Sequence, residues 1–255
     1  MILILFSIVV QGLKTPESVI FYKGYIYVSN VNGSPNRKDG NGYISKLDLK
    51  GNFIKEKFAY NLNAPKGIGF IDSVLFVSDI DRVCGFNIKN GQKIYETKIK
   101  DAKFLNDITS NNINTIYVSD NVMNKIYVLK LKNGILKLAE SYNFPGGPNG
   151  LFYSNGKLIV VTWISGKVFY VDSSFARKKL LASGFKQLDG VWKTKGGIIF
   201  SSWDGNIYEI LNNGKIIKLL SRLESPADIS YIDSLNIILI PEFLDNKIVI
   251  EKLEK

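Results

Sequence analysis

The chain has 255 residues, 45% of them apolar and 22% charged, which is ample for a large core and argues against disorder. With no histidine and one cysteine, it excludes Ser-His-Asp and Cys-His catalysis, imidazole or cysteine-cluster metal sites, and an internal disulfide. The formal net charge is +10, yet lysines fall singly at strand ends and turns, as at Lys46, Lys89, Lys130, Lys167 and Lys215; that is how solvated edges are protected, and no nucleic-acid partner is expected.

The first ten residues, MILILFSIVV, are too short a run to cross a membrane as a helix, and no transmembrane span is expected. Their hydrophobicity suits a secretory signal, but a basic n-region and a small-residue cleavage site are missing. Residues 7–13 precede Pro16-Glu17 much as residues 216–221 precede Pro226-Ala227, which suits an outer strand. Two readings stay open: a strand alone, leaving a cytoplasmic location, or a strand fused to the remnant of an export signal in residues 1–10. The second implies a periplasmic or secreted protein.

From residue 16 onward a short turn leads six times into a similar strand opening. These openings are Pro16-Glu17-Ser18-Val19, Pro65-Lys66-Gly67-Ile68, Leu105-Asn106-Asp107-Ile108, Pro148-Asn149-Gly150-Leu151, Leu188-Asp189-Gly190-Val191 and Pro226-Ala227-Asp228-Ile229. They are 49, 40, 43, 40 and 38 residues apart, the period of a β-propeller blade. In the second unit strands are expected over 67–71, 74–78, 83–87 and 93–99, divided by Asp72-Ser73, Asp79-Ile80-Asp81 and Asn90-Gly91. The third unit repeats this over 108–110, 115–119, 125–129 and 135–141, and the fifth over 191–193, 197–201, 206–210 and 215–220. The sixth supplies only three strands, ending at 248–253, and the N-terminal segment provides the fourth. No helical periodicity or linker interrupts the pattern. The prediction is all-β: one six-bladed β-propeller domain over residues 1–255, closed by an N-terminal outer strand in the last blade.

Three local features stand out. Residues 31–42 form a glycine-rich loop where other blades use a few residues, read as a lid or specificity loop; it lacks the closing glutamate of an EF-hand. The second strands end alike, at Tyr27-Val28-Ser29-Asn30, Phe76-Val77-Ser78-Asp79 and Tyr117-Val118-Ser119-Asp120, with Glu242 at the matching place in the sixth. Asn30, Asp79, Asp120 and Glu242 either surround the axis or hold turns, and for Asp79 and Asp120 the turn role is preferred. Cys84, within an apolar strand, is expected to be a buried, inert thiol.

The second positions of the openings, Glu17, Lys66, Asn106, Asn149, Asp189 and Ala227, converge near the propeller axis. Carboxylate and amide oxygens gathered at one point suit a hard cation, which would make a bound water more acidic or clamp a carbonyl. Lys66 can pair with these carboxylates or with an anionic ligand. The alternative is a polar, hydrated axis without chemistry. Trp163 and Trp203 suit sugar stacking or a protein contact.

With Glu17 in the first blade, Asn106-Asp107 in the third, Asn149-Gly150 in the fourth and Asp189-Gly190 in the fifth, the chain resembles the senescence-marker-protein/gluconolactonase family, the regucalcin-like six-bladed propellers. The resemblance spans essentially the whole length, toward an uncharacterised bacterial branch. It implies a divalent metal, calcium first with zinc or magnesium as alternatives, held by Glu17, Asn149 and Asp189 with Asn106 near metal or substrate. It also implies Asp189 as general base in lactone or ester hydrolysis. Two places depart from it: Phe104, with Lys103 just before, stands where an arginine commonly meets substrate, and Ile20 and Phe21 stand where tryptophan is usual. The expected substrate-binding residues are Asn106, Lys66, Lys103, Trp163 and Trp203. The first functional reading is a divalent-metal-dependent hydrolase of a small lactone or ester; the second is a non-catalytic NHL-like propeller binding a ligand or protein partner on the loop face, with a structural or sensory metal.

Overall fold

The computed structural model describes residues 4–253. The described elements are all β-strands, arranged as six four-stranded antiparallel sheets. Five sheets use strands consecutive in the chain. The sixth combines Ser230–Ile232, Ile237–Glu242 and Lys247–Leu253 with Ile4–Val10, which pairs antiparallel to Lys247–Leu253 as the outermost strand. The predicted N-terminal closure is therefore present. Residues 1–3 of the export-signal reading lie outside the described residues. Among the described residues no helix is long and apolar enough to cross a membrane.

The core is divided into wedges. Ile44, Phe58 and Leu62 of the first blade pack on Ile68, Leu75 and Val77 of the second. The same arrangement recurs at each junction around the ring, ending with Val19, Val28 and Leu47 of the first blade against Leu239 and Ile250 of the sixth. A strand covered on both faces by neighbouring blades reads as a continuous apolar run, and Pro65–Ile71 is buried at every position. The outermost Lys93–Lys98 is mostly exposed, with Tyr95 and Thr97 half-buried. Because apolar burial is spent between blades, the axis is left to polar groups.

One irregularity repeats and positions the site. The innermost strand pairs Pro65 with Asp79, then resumes at Ile68 with Val77, so it carries one extra residue. The same β-bulge occurs between Pro16 and Val19, Leu105 and Ile108, Pro148 and Leu151, and Leu188 and Val191. Bulges re-aim side chains. They also explain why these strands begin at Pro65, Leu105 and Leu188, ahead of the predicted 67, 108 and 191.

The shared ending of the second strands serves this bulge. Ser29, Ser119 and Ser201 accept, through Oγ, the N–H groups of Ser18, Asp107 and Gly190 at 2.9, 3.0 and 2.7 Å. Ser78 instead donates to the carbonyl of Asn106. The next residue clasps the incoming loop: Asn30 accepts the Lys14 N–H at 2.9 Å, Asp79 those of Asn63 and Ala64 at 2.9 and 2.8 Å, and Asp120 that of Lys103 at 2.8 Å. Glu242 pairs with Lys247 at 2.9 Å. These four residues hold turns and a hairpin, and none lines an axial cavity.

Candidate functional site

Each opening presents two successive residues at the axis. The second positions Glu17, Lys66, Asn106 and Asp189 reach a cavity of about 300 Å³ on the loop face. The third positions Ser18, Asp107 and Asp228 reach a cavity of about 280 Å³ toward the opposite face. This lower layer is absent from the sequence reading. Its signal was the third column of the openings: Ser18, Gly67, Asp107, Gly150, Gly190 and Asp228. The glycines stand where the following blade comes close, since a Cβ on Gly67, Gly150 or Gly190 would lie 2.5, 2.1 or 2.3 Å from Asp107 Oδ1, the Asp189 carbonyl oxygen or the Ile229 nitrogen. The first, third and sixth blades carry a polar side chain there instead: Ser18, Asp107 and Asp228.

In the upper layer Asp189 is held from both sides. Trp203 Nε1 donates to its Oδ2 at 2.6 Å, and Asn149 Nδ2 donates to its Oδ1 at 3.2 Å. Asn149 Nδ2 also donates to the Leu188 carbonyl at 3.1 Å. Glu17 Oε2, Asn106 Oδ1 and Asn149 Oδ1 are buried with no hydrogen-bond partner. An unpaired buried acceptor loses its hydration without return; three in one layer leave room for an electropositive partner. Glu17, Asn106, Asn149 and Asp189 thus offer side-chain oxygens of the type that a hard cation takes. Among the described residues, no three histidine, cysteine, aspartate or glutamate groups are placed so that they could hold a metal ion.

Four buried acids share the axis. Burial, followed by the charges of Asp189 and Asp228, raises the Glu17 carboxyl well above its ordinary range. Asp189 is pushed up to about 8 by burial and then Asp228, against the hydrogen bonds from Trp203 and Asn149. Asp228 rises to about 7 through burial, offset by hydrogen bonds with Ser18 and Asp107; Ser18 Oγ donates to its Oδ2 at 2.6 Å. Asp107, raised by burial and by Asp228, accepts the N–H groups of Leu151 and Ile108 at 2.5 and 2.6 Å.

Lys66 is nearly fully buried and lowered to about 8 by that burial, against the pull of Glu17, Asp79 and Asp120. Its Nζ donates to the carbonyls of Pro35 and Ala64 at 3.0 and 3.1 Å and lies 4.3 Å from the Phe104 ring centroid. It thus ties the long loop to the site and makes no direct ion pair with the axial carboxylates. Pro35 and Asn36 of that loop line the cavity, as a loop over this face should. Trp163 and Trp203 line it too, edge to face at 5.1 Å. Lys103 does not: its side chain is exposed, its backbone is clasped by Asp120, and Phe104 faces the cavity in its place. Phe243, Val122 and Asn121 complete the wall and were not foreseen, because they sit in hairpin loops with no shared motif.

These features define a six-bladed β-propeller with a polar site on its axis. No protein-family model and no curated protein matches the chain. Solved structures do match: a catalytically inactive virginiamycin B lyase from Staphylococcus aureus with quinupristin, at TM-score 0.62 and 18% identity, covers 98% of this chain and 100% of that one. The Cps50 (Swd1) β-propeller domain of Myceliophteria thermophila has TM-score 0.68 and 10% identity over 98% of this chain and 100% of that one. An auxiliary nutrient binding protein from Bacteroides thetaiotaomicron has TM-score 0.73 and 10% identity over 96% of this chain and 70% of that one. At such identities the likeness extends to the fold, and these folds serve different functions.

Proposed function

We propose that the chain is a divalent-cation-dependent hydrolase of a small lactone or ester, acting at the loop-face end of the axis. The observation that carries this reading is the set of unpartnered oxygens, Glu17 Oε2, Asn106 Oδ1 and Asn149 Oδ1, gathered in the Asp189 layer. Glu17, Asn149 and Asp189 would hold the cation, with Asn106 completing the set or meeting substrate. All-oxygen donors favour calcium or magnesium over zinc. When bound, the cation supplies polarisation of the substrate carbonyl. Asp189, oriented by Trp203 and Asn149, takes a proton from the attacking water. The water oxygen bonds to the carbonyl carbon, the ring or ester C–O bond breaks, and the departing oxygen receives the proton. A hydroxy acid, or an acid and an alcohol, results. The aromatic wall and the Pro35 segment limit water around the reacting atoms.

Calorimetric calcium titration of the wild type, Glu17→Gln and Asp189→Asn tests this reading. Affinity is expected to weaken about tenfold or more in each variant, and a lactone and ester panel should show turnover in the wild type. Equal affinity in all three proteins would overturn the cation site. The second reading, a non-catalytic propeller with a bound ligand or partner, draws on Val122, Ile164 and Leu244, which are 58%, 68% and 60% exposed on the hairpins of the loop face; cation binding without any turnover would favour it.

A further inference from the structure

We infer, resting on the hydrolase reading above, that the substrate carries an apolar alkyl tail and that this tail, rather than ring hydroxyls, is what the cavity recognises. The walls are Phe104, Val122, Trp163, Trp203, Phe243 and Pro35, and the charged and amide groups Glu17, Lys66, Asn106 and Asp189 are gathered in the axial layer. The unpartnered oxygens of Glu17 and Asn106 belong to the axial layer assigned to the cation, and the other polar groups that a polyhydroxylated ring would need are largely engaged. Trp203 Nε1 is committed to Asp189, so its ring offers only an apolar surface. The Lys66 ammonium is held by the Pro35 and Ala64 carbonyls and lies against Phe104. That leaves Asn36 and Asn121 as the further polar lining. The apolar character continues outward through Val122, Ile164 and Leu244, giving a tail too long for the cavity a surface to lie on. A carbonyl group would thus lie at the polar floor with its tail directed along the aromatic wall toward the hairpins.

The test uses the calcium-loaded full chain and γ-lactones whose alkyl tails lengthen one methylene at a time, with a polyhydroxylated sugar lactone alongside. kcat/KM is expected to rise by up to about fourfold per methylene until the cavity is filled, the rate equivalent of burying one CH2. The sugar lactone should be the poorest substrate. Matched alkyl lactams, which resist hydrolysis, are titrated in parallel by tryptophan fluorescence and should show the same dependence in Kd. Val122→Asp, at an exposed position where folding tolerates charge, should lower the ratio of long-tail to short-tail kcat/KM. A flat chain-length series, or preference for the sugar lactone, overturns the inference while leaving the hydrolase standing. Lactam affinity that climbs with tail length in a protein that hydrolyses nothing overturns the hydrolase reading and keeps the apolar recognition.

Discussion

Asp189 illustrates how much one residue on the axis must satisfy. It sits below the cavity, accepts hydrogen bonds from Trp203 and Asn149, and shares a buried space with Glu17, Asp107 and Asp228. All four acids are raised, with Asp228 at about 7 and Asp189 at about 8. Unfolded carboxyls titrate near about pH 4. Between that value and about pH 8, the cation-free folded protein therefore binds more protons than the unfolded chain, and its stability falls as pH rises. In the presence of chelator, the thermal midpoint followed by circular dichroism is expected to drop steadily from about pH 5 to about pH 8. Calcium added at the upper end should restore it, by binding the folded state alone. A midpoint that climbs across this window would contradict the shared electrostatics. Cys84 shows the simpler outcome of burial, fully enclosed with its thiol pushed up to about 12, as its apolar surroundings in the sequence foretold.

At the scale of the element, the innermost strand and the end of the second strand work as one device. The serine supports the bulge, and the residue after it clasps the loop that leads into the strand. Asp79 is the strongest clasp: it is fully buried, accepts from the Asn63 and Ala64 backbone, and meets Arg82 Nε at 2.8 Å. Asp79→Ala should cost about 3 kcal/mol, since it leaves the Asn63 and Ala64 N–H groups and the Arg82 Nε–H without their acceptor. Thr162, which closes a local turn through Ser165 and Lys167, should cost about 1 kcal/mol as Thr162→Ala. Urea denaturation of both variants checks the difference, and equal losses would argue against the clasp. The repeated Ser-Asp ending was plain in the sequence, and its turn-holding role was the preferred reading. The bulge was not visible there, because an extra residue in a strand leaves no composition of its own and shows only against its partner.

The whole molecule depends on ring closure. Ile4–Val10 completes the sixth blade, and Val10 and Leu13 enter the wedge between the sixth and first blades. Deleting residues 1–13 removes an outer strand and these buried side chains at the one junction that joins the two ends of the described chain. The thermal midpoint should fall by roughly 10 °C or more. An unchanged melting curve would mean that the ring does not rely on this strand. Closure also concerns the site, because Glu17 and Ser18 lie four and five residues after Leu13, and Ser18 bonds Asp228 across the same junction. Loss of the strand is therefore expected to loosen the axial layer together with the fold.

The sequence alone determined the blade count, the closure scheme, the loop over the site and the upper axial set Glu17, Asn106, Asn149 and Asp189. Each is a matter of period and residue type, and a repeat of about 40 residues with turn chemistry at fixed offsets leaves few architectures open. Only the tertiary structure decided which neighbouring residue faces which cavity. Asp107 and Asp228 lie one position from residues the repeat had singled out, yet they form a separate layer because a bulge breaks the two-residue alternation of the strand. The same holds for Lys66 and Lys103: a lysine's partners depend on what surrounds the end of a long flexible side chain, and adjacency in sequence does not specify that. The walls of the cavity come from hairpins of different blades, and their shared apolar character exists only once the ring brings them to one mouth.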